Sequence, residues 1–136
     1  CQGMNYIVAT LFAYLKDTEL TFDMLVALVV HHNLVALFRP QVPDFHVKNY
    51  VVQQLIKERM PQLYAHFKKL KLDISALTGN WLMTLFNGYL SYPLVLVVLD
   101  SFFLEGWPAI YRVILTILQI HQEEPPEAWS YRSQPR

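Results

Sequence analysis

The chain opens Cys1-Gln2-Gly3-Met4-Asn5-Tyr6, and this stretch holds the side chain best suited to chemistry. It reads as a small, polar, glycine-containing turn leading straight into an amphipathic helix. Backbone N–H groups point outward at such a turn, and the helix end carries positive potential, so a phosphate is welcome there. Gln2 brings an amide that accepts from one group and donates to another. Orienting a water beside a phosphoryl group requires that pair of capacities. The same residues also make an ordinary helix N-terminus with Asn5 in its first turn, and spacing alone leaves both readings open.

Other reactive residue types carry less. Cys1 as a nucleophile would need a processed α-amine and a pocket. His31 and His32 are adjacent and so point roughly 100° apart on a helix, poor geometry for one metal. Lys68, Lys69 and Lys71 read as a solvated face. Three lysines would hold a membrane surface only weakly. Asp100 and Glu105 flank an apolar helix; Glu105 reads as helix-end structure, Asp100 as a surface or buried hydrogen-bonding group. Trp81 and Phe86 read as core. The expectation for metals is none.

Helices must position these residues. Met4, Ile7, Val8, Leu11, Phe12 and Leu15 follow the i, i+3, i+4, i+7 stripe. Asp17 or Thr18 caps a second helix, with Phe22, Leu25, Val26 and Val29 inward, that runs to about His32. A short apolar turn, Leu34–Phe38, precedes a proline loop at Arg39–Asp44. Third and fourth helices run from about His46 to Arg59 and from Pro61 to about Leu70. Asp73 or Ser75 starts a fifth, which Gly79 bends or interrupts. Ser91 caps and Pro93 opens a sixth. Glu105-Gly106 ends it, with Gly106 as a left-handed C-cap. Pro108 opens a seventh through Ile110, Ile114, Ile117, Leu118 and His121. No segment alternates like a strand. The expected fold is all-α, about seven helices over residues 1–122, then a polar, proline-containing tail over 123–136 that Trp129 and Tyr131 are able to pin down.

Composition sets the bounds. The chain has 136 residues, Lys+Arg 11 against Asp+Glu 11 and a formal net charge of +0. That balance argues against a nucleic-acid partner. Charged residues make up only 16%, against roughly 25% in an average soluble domain. A piece of a larger domain, with apolar faces left over, would read this way; the missing initiator Met fits the same expectation. The longest apolar runs, Met24–Val30 and Pro93–Leu99, are far short of the ~20 residues a spanning helix needs, so no transmembrane segment is expected. The opening lacks the pattern of a signal peptide. A single cysteine excludes an internal disulfide framework and fits a reducing compartment.

In order along the chain, several segments resemble one family. Cys1-Gln2-Gly3-Met4-Asn5-Tyr6-Ile7 is similar to the glutamine motif Y-x-Q-G-M-N of the TBC domain, the all-helical catalytic domain of Rab GTPase-activating proteins. Thr21-Phe22-Asp23-Met24-Leu25-Val26-Ala27-Leu28 resembles its A-F-W-x-L-V-x-L helix, and Pro61-Gln62-Leu63-Tyr64-Ala65-His66-Phe67 its P-x-L-x-x-H turn. Trp81-Leu82-Met83-Thr84-Leu85-Phe86 looks like W-F/L-x-T-L-F. Asp100-Ser101-Phe102-Phe103-Leu104-Glu105-Gly106 looks like D-x-F-F-x-E-G.

The resemblance implies the C-terminal part of such a domain, with a Rab-type small GTPase as partner. GTP and Mg would be carried by that partner, and this chain would have no cofactor of its own. Gln2 would be the catalytic, water-orienting residue, with Gly3, Met4 and Asn5 supporting it. Trp81, Phe86, Asp100, Phe102, Phe103, Glu105 and Gly106 would be structural motif residues. The implied setting is the cytoplasm, on endomembrane surfaces during vesicle trafficking, with any peripheral membrane contact made by other parts of the parent protein.

Two departures matter. The family pairs its glutamine with an arginine finger in an I-x-x-D-x-x-R element N-terminal to the glutamine motif, and no arginine of this chain lies in such a motif. The fragment alone would then keep water positioning and lose charge stabilisation. Where many members read R-x-W-D, this chain has Val97-Val98-Leu99-Asp100. The alternative reading is therefore a catalytically inactive TBC-like module that docks on a GTPase or a larger assembly.

Overall fold

A computed structural model describes residues 3–39 and 43–122. Among them the fold is all-helical: α1 (Met4–Leu15), α2 (Thr18–His31), α3 (Val35–Phe38), α4 (Pro43–Arg59), α5 (Pro61–Lys69), α6 (Ile74–Thr84), α7 (Tyr92–Glu105) and α8 (Trp107–Gln122). The expected seven become eight because the apolar turn after α2 closes one helical turn of its own. Of the loop expected at Arg39–Asp44, residues 40–42 lie outside the described residues, while Pro43 and Asp44 already belong to α4, which starts earlier than the expected His46; the tail at 123–136, Cys1 and Gln2 also lie outside the described residues.

Local chemistry sets most boundaries. Asp17 caps α2 by accepting from the Leu20 N–H at 2.8 Å. Asp73 caps α6 the same way from the Ser75 N–H at 2.9 Å, while the Ser75 hydroxyl donates to its other oxygen at 2.6 Å. Those two bonds, the hydroxyl's foremost, hold the Asp73 carboxyl below its ordinary value. Prolines open α4 and α5 where a missing N–H costs nothing. Ser91 precedes α7 without a side-chain cap bond, and Tyr92, not Pro93, is the first helical residue.

Alpha1 packs on α2 and α6; α4 lies against α3, α5, α6 and α8; α7 packs on α8. Leu28, Leu37, Ile56, Leu82, Phe86, Phe102, Ile110 and Ile114 are fully buried at 0% exposure, and form the centre of one continuous core. Each such side chain contributes about 1.5–3 kcal/mol relative to exposure. Their sum is what holds helices of ordinary propensity in place.

Several inward assignments change. In α1, Ile7 and Leu11 face the core but Phe12 is 49% exposed; in α2, Leu28 is buried while Phe22 is 63% and Val26 41% exposed. Leu70 and Leu72 also lie open to solvent. The same apolar surplus recurs on α7, where Leu94, Val97 and Leu104 form an exposed stripe. Gly79 does not interrupt α6. It is buried mid-helix, where a Cβ would stand 3.0 Å from the Phe45 ring, so the missing side chain leaves room for that ring of α4.

Candidate functional site

Gly3 anchors the start of α1. Its φ of +102° is a region L side chains rarely adopt, and a Cβ there would lie 2.5 Å from the Met83 carbonyl oxygen. Only glycine lets α1 begin flush against the backbone of α6. The Gly3 carbonyl accepts from the Tyr6 N–H at 3.2 Å, closing the first turn. No acidic side chain sits in that turn, so the positive end of the helix is not offset by a carboxylate of its own. Met4 is half-buried; Asn5 and Tyr6 are exposed.

Opposite Gly3 the end of α6 is unusual. Leu85 and Phe86 both have positive φ, 48° and 66°, although both side chains are fully buried. Left-handed backbone at bulky residues costs roughly 1–2 kcal/mol each. It persists here because the core over-determines it. The Leu85 and Phe86 N–H groups both donate to the Trp81 carbonyl, and the Trp81 and Phe86 rings stack at 5.9 Å. The helix that Asp73 caps thus ends at Thr84, and two left-handed residues turn the chain toward Asn87 and Gly88.

That turn is tied to α1. The Thr10 hydroxyl donates to the Asn87 side-chain carbonyl, both residues being buried. The Asn87 amide donates to the Thr84 carbonyl at 2.8 Å, and the Thr84 hydroxyl is 3.0 Å from the Asn87 carbonyl. A cleft of about 500 Å³ opens between the two elements, with Gly3, Tyr6, Asn80, Met83, Asn87 and Gly88 among its walls. Its described lining offers amides, a phenol and backbone groups but no charged side chain. The described lining can hold and orient a neutral hydrogen-bonding species, and none of its side chains brings a cation to developing negative charge. Sequence spacing gives no sign of Thr10 and Asn87, which are far apart in the chain and meet only through packing. The buried pair Asn49 and Thr78, bonded at 2.8 Å, is equally invisible there.

The second motif cluster is structural. Gly106 ends α7 at φ 70°, ψ −147°, not the left-handed helical cap expected but an extended conformation that essentially only glycine adopts. A Cβ there would meet the His32 ring at 3.1 Å. That ring packs on Phe102 at 4.8 Å and Phe103 at 6.4 Å, and the Trp107 indole donates to the His32 carbonyl at 2.9 Å. The D-x-F-F-x-E-G segment therefore clamps the C-terminal end of α2. Asp100 is exposed, and Glu105 pairs with Arg112 at 2.6 Å on the surface, so the two do not form an acid pair.

Lys48, which the sequence reading missed, is buried between α4 and α8. Its ammonium lies 2.8 Å from Asp44 and 3.9 Å over the Trp107 ring, though the Asp44 contact is an ion pair without regular hydrogen-bond geometry. Burial, with Asp44 adding to it, pushes the Tyr111 phenol up to about 12. His31 is exposed, as are Lys68, Lys69 and Lys71. Among the described residues no group of three or more His, Cys, Asp or Glu side chains could hold a metal ion, and no helix is long and apolar enough to cross a membrane.

An all-helical array with a glycine-anchored helix start beside a neutral cleft matches one family along most of the sequence. The Rab-GTPase-TBC domain model matches residues 1–125, and the chain belongs to that family. Similar relatives include Rab GTPase-activating protein eat-17 of Caenorhabditis elegans, 30% identical over 88% of this chain and 13% of the relative. The human Ecotropic viral integration site 5 protein homolog is 30% identical over 91% of this chain and 15% of its own length. Mouse TBC1 domain family member 2A is 32% identical over 90% and 13%. The chain thus spans about one-seventh of the length of these relatives.

Proposed function

We propose that this chain is the glutamine-bearing part of a GTPase-activating domain for a Rab-type small GTPase. Gln2 orients the attacking water while GTP and Mg sit on the partner. The observation that carries the reading is Gly3: packed on Met83 in the wall of the cleft, it is bonded directly to Gln2. The neutral cleft accounts for the division of labour, because a loose phosphoryl transition state needs both an aligned water and a cation, and the cation must come from elsewhere. Family membership, and a nematode relative named as a Rab GTPase-activating protein, support the choice of a Rab-type GTPase as partner.

The test is single-turnover GTP hydrolysis by a Rab panel, using the chain extended N-terminally to include any arginine-bearing element. Gln2→Ala should lower the stimulated rate by about 10²-fold, the loss typical of one preorganised hydrogen-bonding group. An unchanged rate overturns the assignment. A second reading, a binding module without catalysis, is favoured by one observation. Val97, at the arginine position of R-x-W-D, is 60% exposed in the apolar stripe with Leu94 and Leu104. Tight Rab binding with no stimulation by the extended chain would establish that reading instead.

A further inference from the structure

A second, larger cavity of about 810 Å³ lies between the α4–α5 corner and one side of α8. That is within the size range of small-ligand sites, roughly 300–1,000 Å³. It shares no lining residue with the Gly3 cleft. Leu55, Met60 and Leu115 give it a half-buried apolar floor. Arg59 and Arg112 are the charged side chains of its lining, and no carboxylate is among them. The carboxylates around it are committed: Glu105 pairs with Arg112 at 2.6 Å, and Asp44, whose charge reaches Tyr111 in the wall, pairs with Lys48 at 2.8 Å. Arg59, the exposed last residue of α4, forms no ion pair among the described residues. The chain then turns straight into α5. Met60 provides no side-chain cap, the first turn holds no acidic residue, and Pro61 and Gln62 bring that turn to the cavity wall.

We propose that this cavity binds a single-chain amphiphile with a phosphomonoester head. The head sits between Arg59 and the start of α5, and the hydrocarbon lies on Leu55, Met60 and Leu115. An apolar cavity alone would accept any apolar molecule of its size; the uncompensated guanidinium at its edge selects an anion. The choice among anions follows from the donors. A guanidinium fork and the free N–H groups of a helix start converge from two directions, and a phosphate offers three acceptor oxygens to meet them. Arg112 has further N–H donors beyond its bond to Glu105. The floor sets the other requirement. Each methylene it buries strengthens binding by up to about fourfold, so the head and the chain must act together.

The test uses the whole 136-residue chain, titrated with octyl phosphate below its aggregation concentration and followed by amide and methyl NMR shifts. Saturable shifts should appear at Gln62, Leu55 and Leu115 and not around Gly3. Inorganic phosphate and octanol, the two halves of the probe, should each bind at least tenfold more weakly. Arg59 is exposed, so Arg59→Gln should leave the helical circular dichroism intact while weakening octyl phosphate about tenfold or more. The three-probe comparison keeps the test decisive if that variant does not fold. Absence of saturable binding overturns the proposal, and so do shifts centred away from the cavity. Octanol binding as tightly as octyl phosphate, or an unchanged affinity in folded Arg59→Gln, overturns the anion subsite. Inorganic phosphate binding as tightly overturns the apolar one. Retention on vesicles of phosphatidate and phosphatidylcholine, with no binding of free octyl phosphate, would place the contact on a bilayer surface and overturns the cavity as the seat.

Discussion

Replacing Gly3 by alanine probes the joint on which the proposed site depends. The added Cβ would lie 2.5 Å from the Met83 carbonyl oxygen, with the Met83 carbonyl carbon at 3.2 Å. Ordinary C···O contacts are no closer than about 3.3 Å, so the overlap is roughly 0.8 Å against backbone, which cannot rotate away. A positive φ adds about 1–2 kcal/mol for a residue with a Cβ. Forcing packed elements apart costs a further ~1–3 kcal/mol. The sum, about 2–5 kcal/mol, corresponds to a fall in melting temperature of about 10 °C or more for a domain of this size. Gly88 supplies the control, since its φ is +80° but nothing lies within 4 Å of its Cβ position. Gly88→Ala should show the backbone cost alone, about 1–2 kcal/mol. Thermal melts of the two variants followed by circular dichroism separate the contributions. In hydrolysis assays on the extended chain, Gly3→Ala should also lose about 10²-fold in rate, because it shifts the helix start by a fraction of an ångström to an ångström. Equal melting of the two variants, or Gly3→Ala melting with the unsubstituted chain, would refute the reasoning.

Three further predictions rest on single contacts. Thr10→Val leaves the buried Asn87 carbonyl without its donor and should cost about 1–3 kcal/mol in urea unfolding with an unchanged m-value. Trp107→Phe keeps much of the packing but deletes the indole bond to the His32 carbonyl, so amide hydrogen exchange should accelerate selectively in the last turn of α2. Tyr111, whose folded value is raised, contributes stability that is complete below its ordinary value of 10.0 and is lost as pH rises toward about 12. Tyr111→Phe should therefore flatten the alkaline fall in stability over that window, measured by denaturant melts at successive pH values.

The sequence alone determined the helical class, most helix boundaries and the family. Those properties are written in local chemistry: 3.6-residue apolar spacing, Asp caps at positions 17 and 73, prolines at helix starts, and motifs that recur in order. Glycine positions were visible but not their purposes. Gly79 looked like a helix interruption and is instead a contact with Phe45; Gly106 looked like a left-handed cap and is an extended bend against His32.

Tertiary structure decided which apolar residues face inward. Phe12, Phe22 and Val26 fit an inward stripe as well as Ile7 and Leu28 do, because periodicity defines a face without saying what covers it. It also decided the polar joints. Thr10 with Asn87, Asn49 with Thr78, and Lys48 over the Trp107 ring exist only once distant helices meet, and each buried polar group then needs a partner because water is gone. Neighbouring residues specify a helix; only the packed assembly specifies what each helix touches.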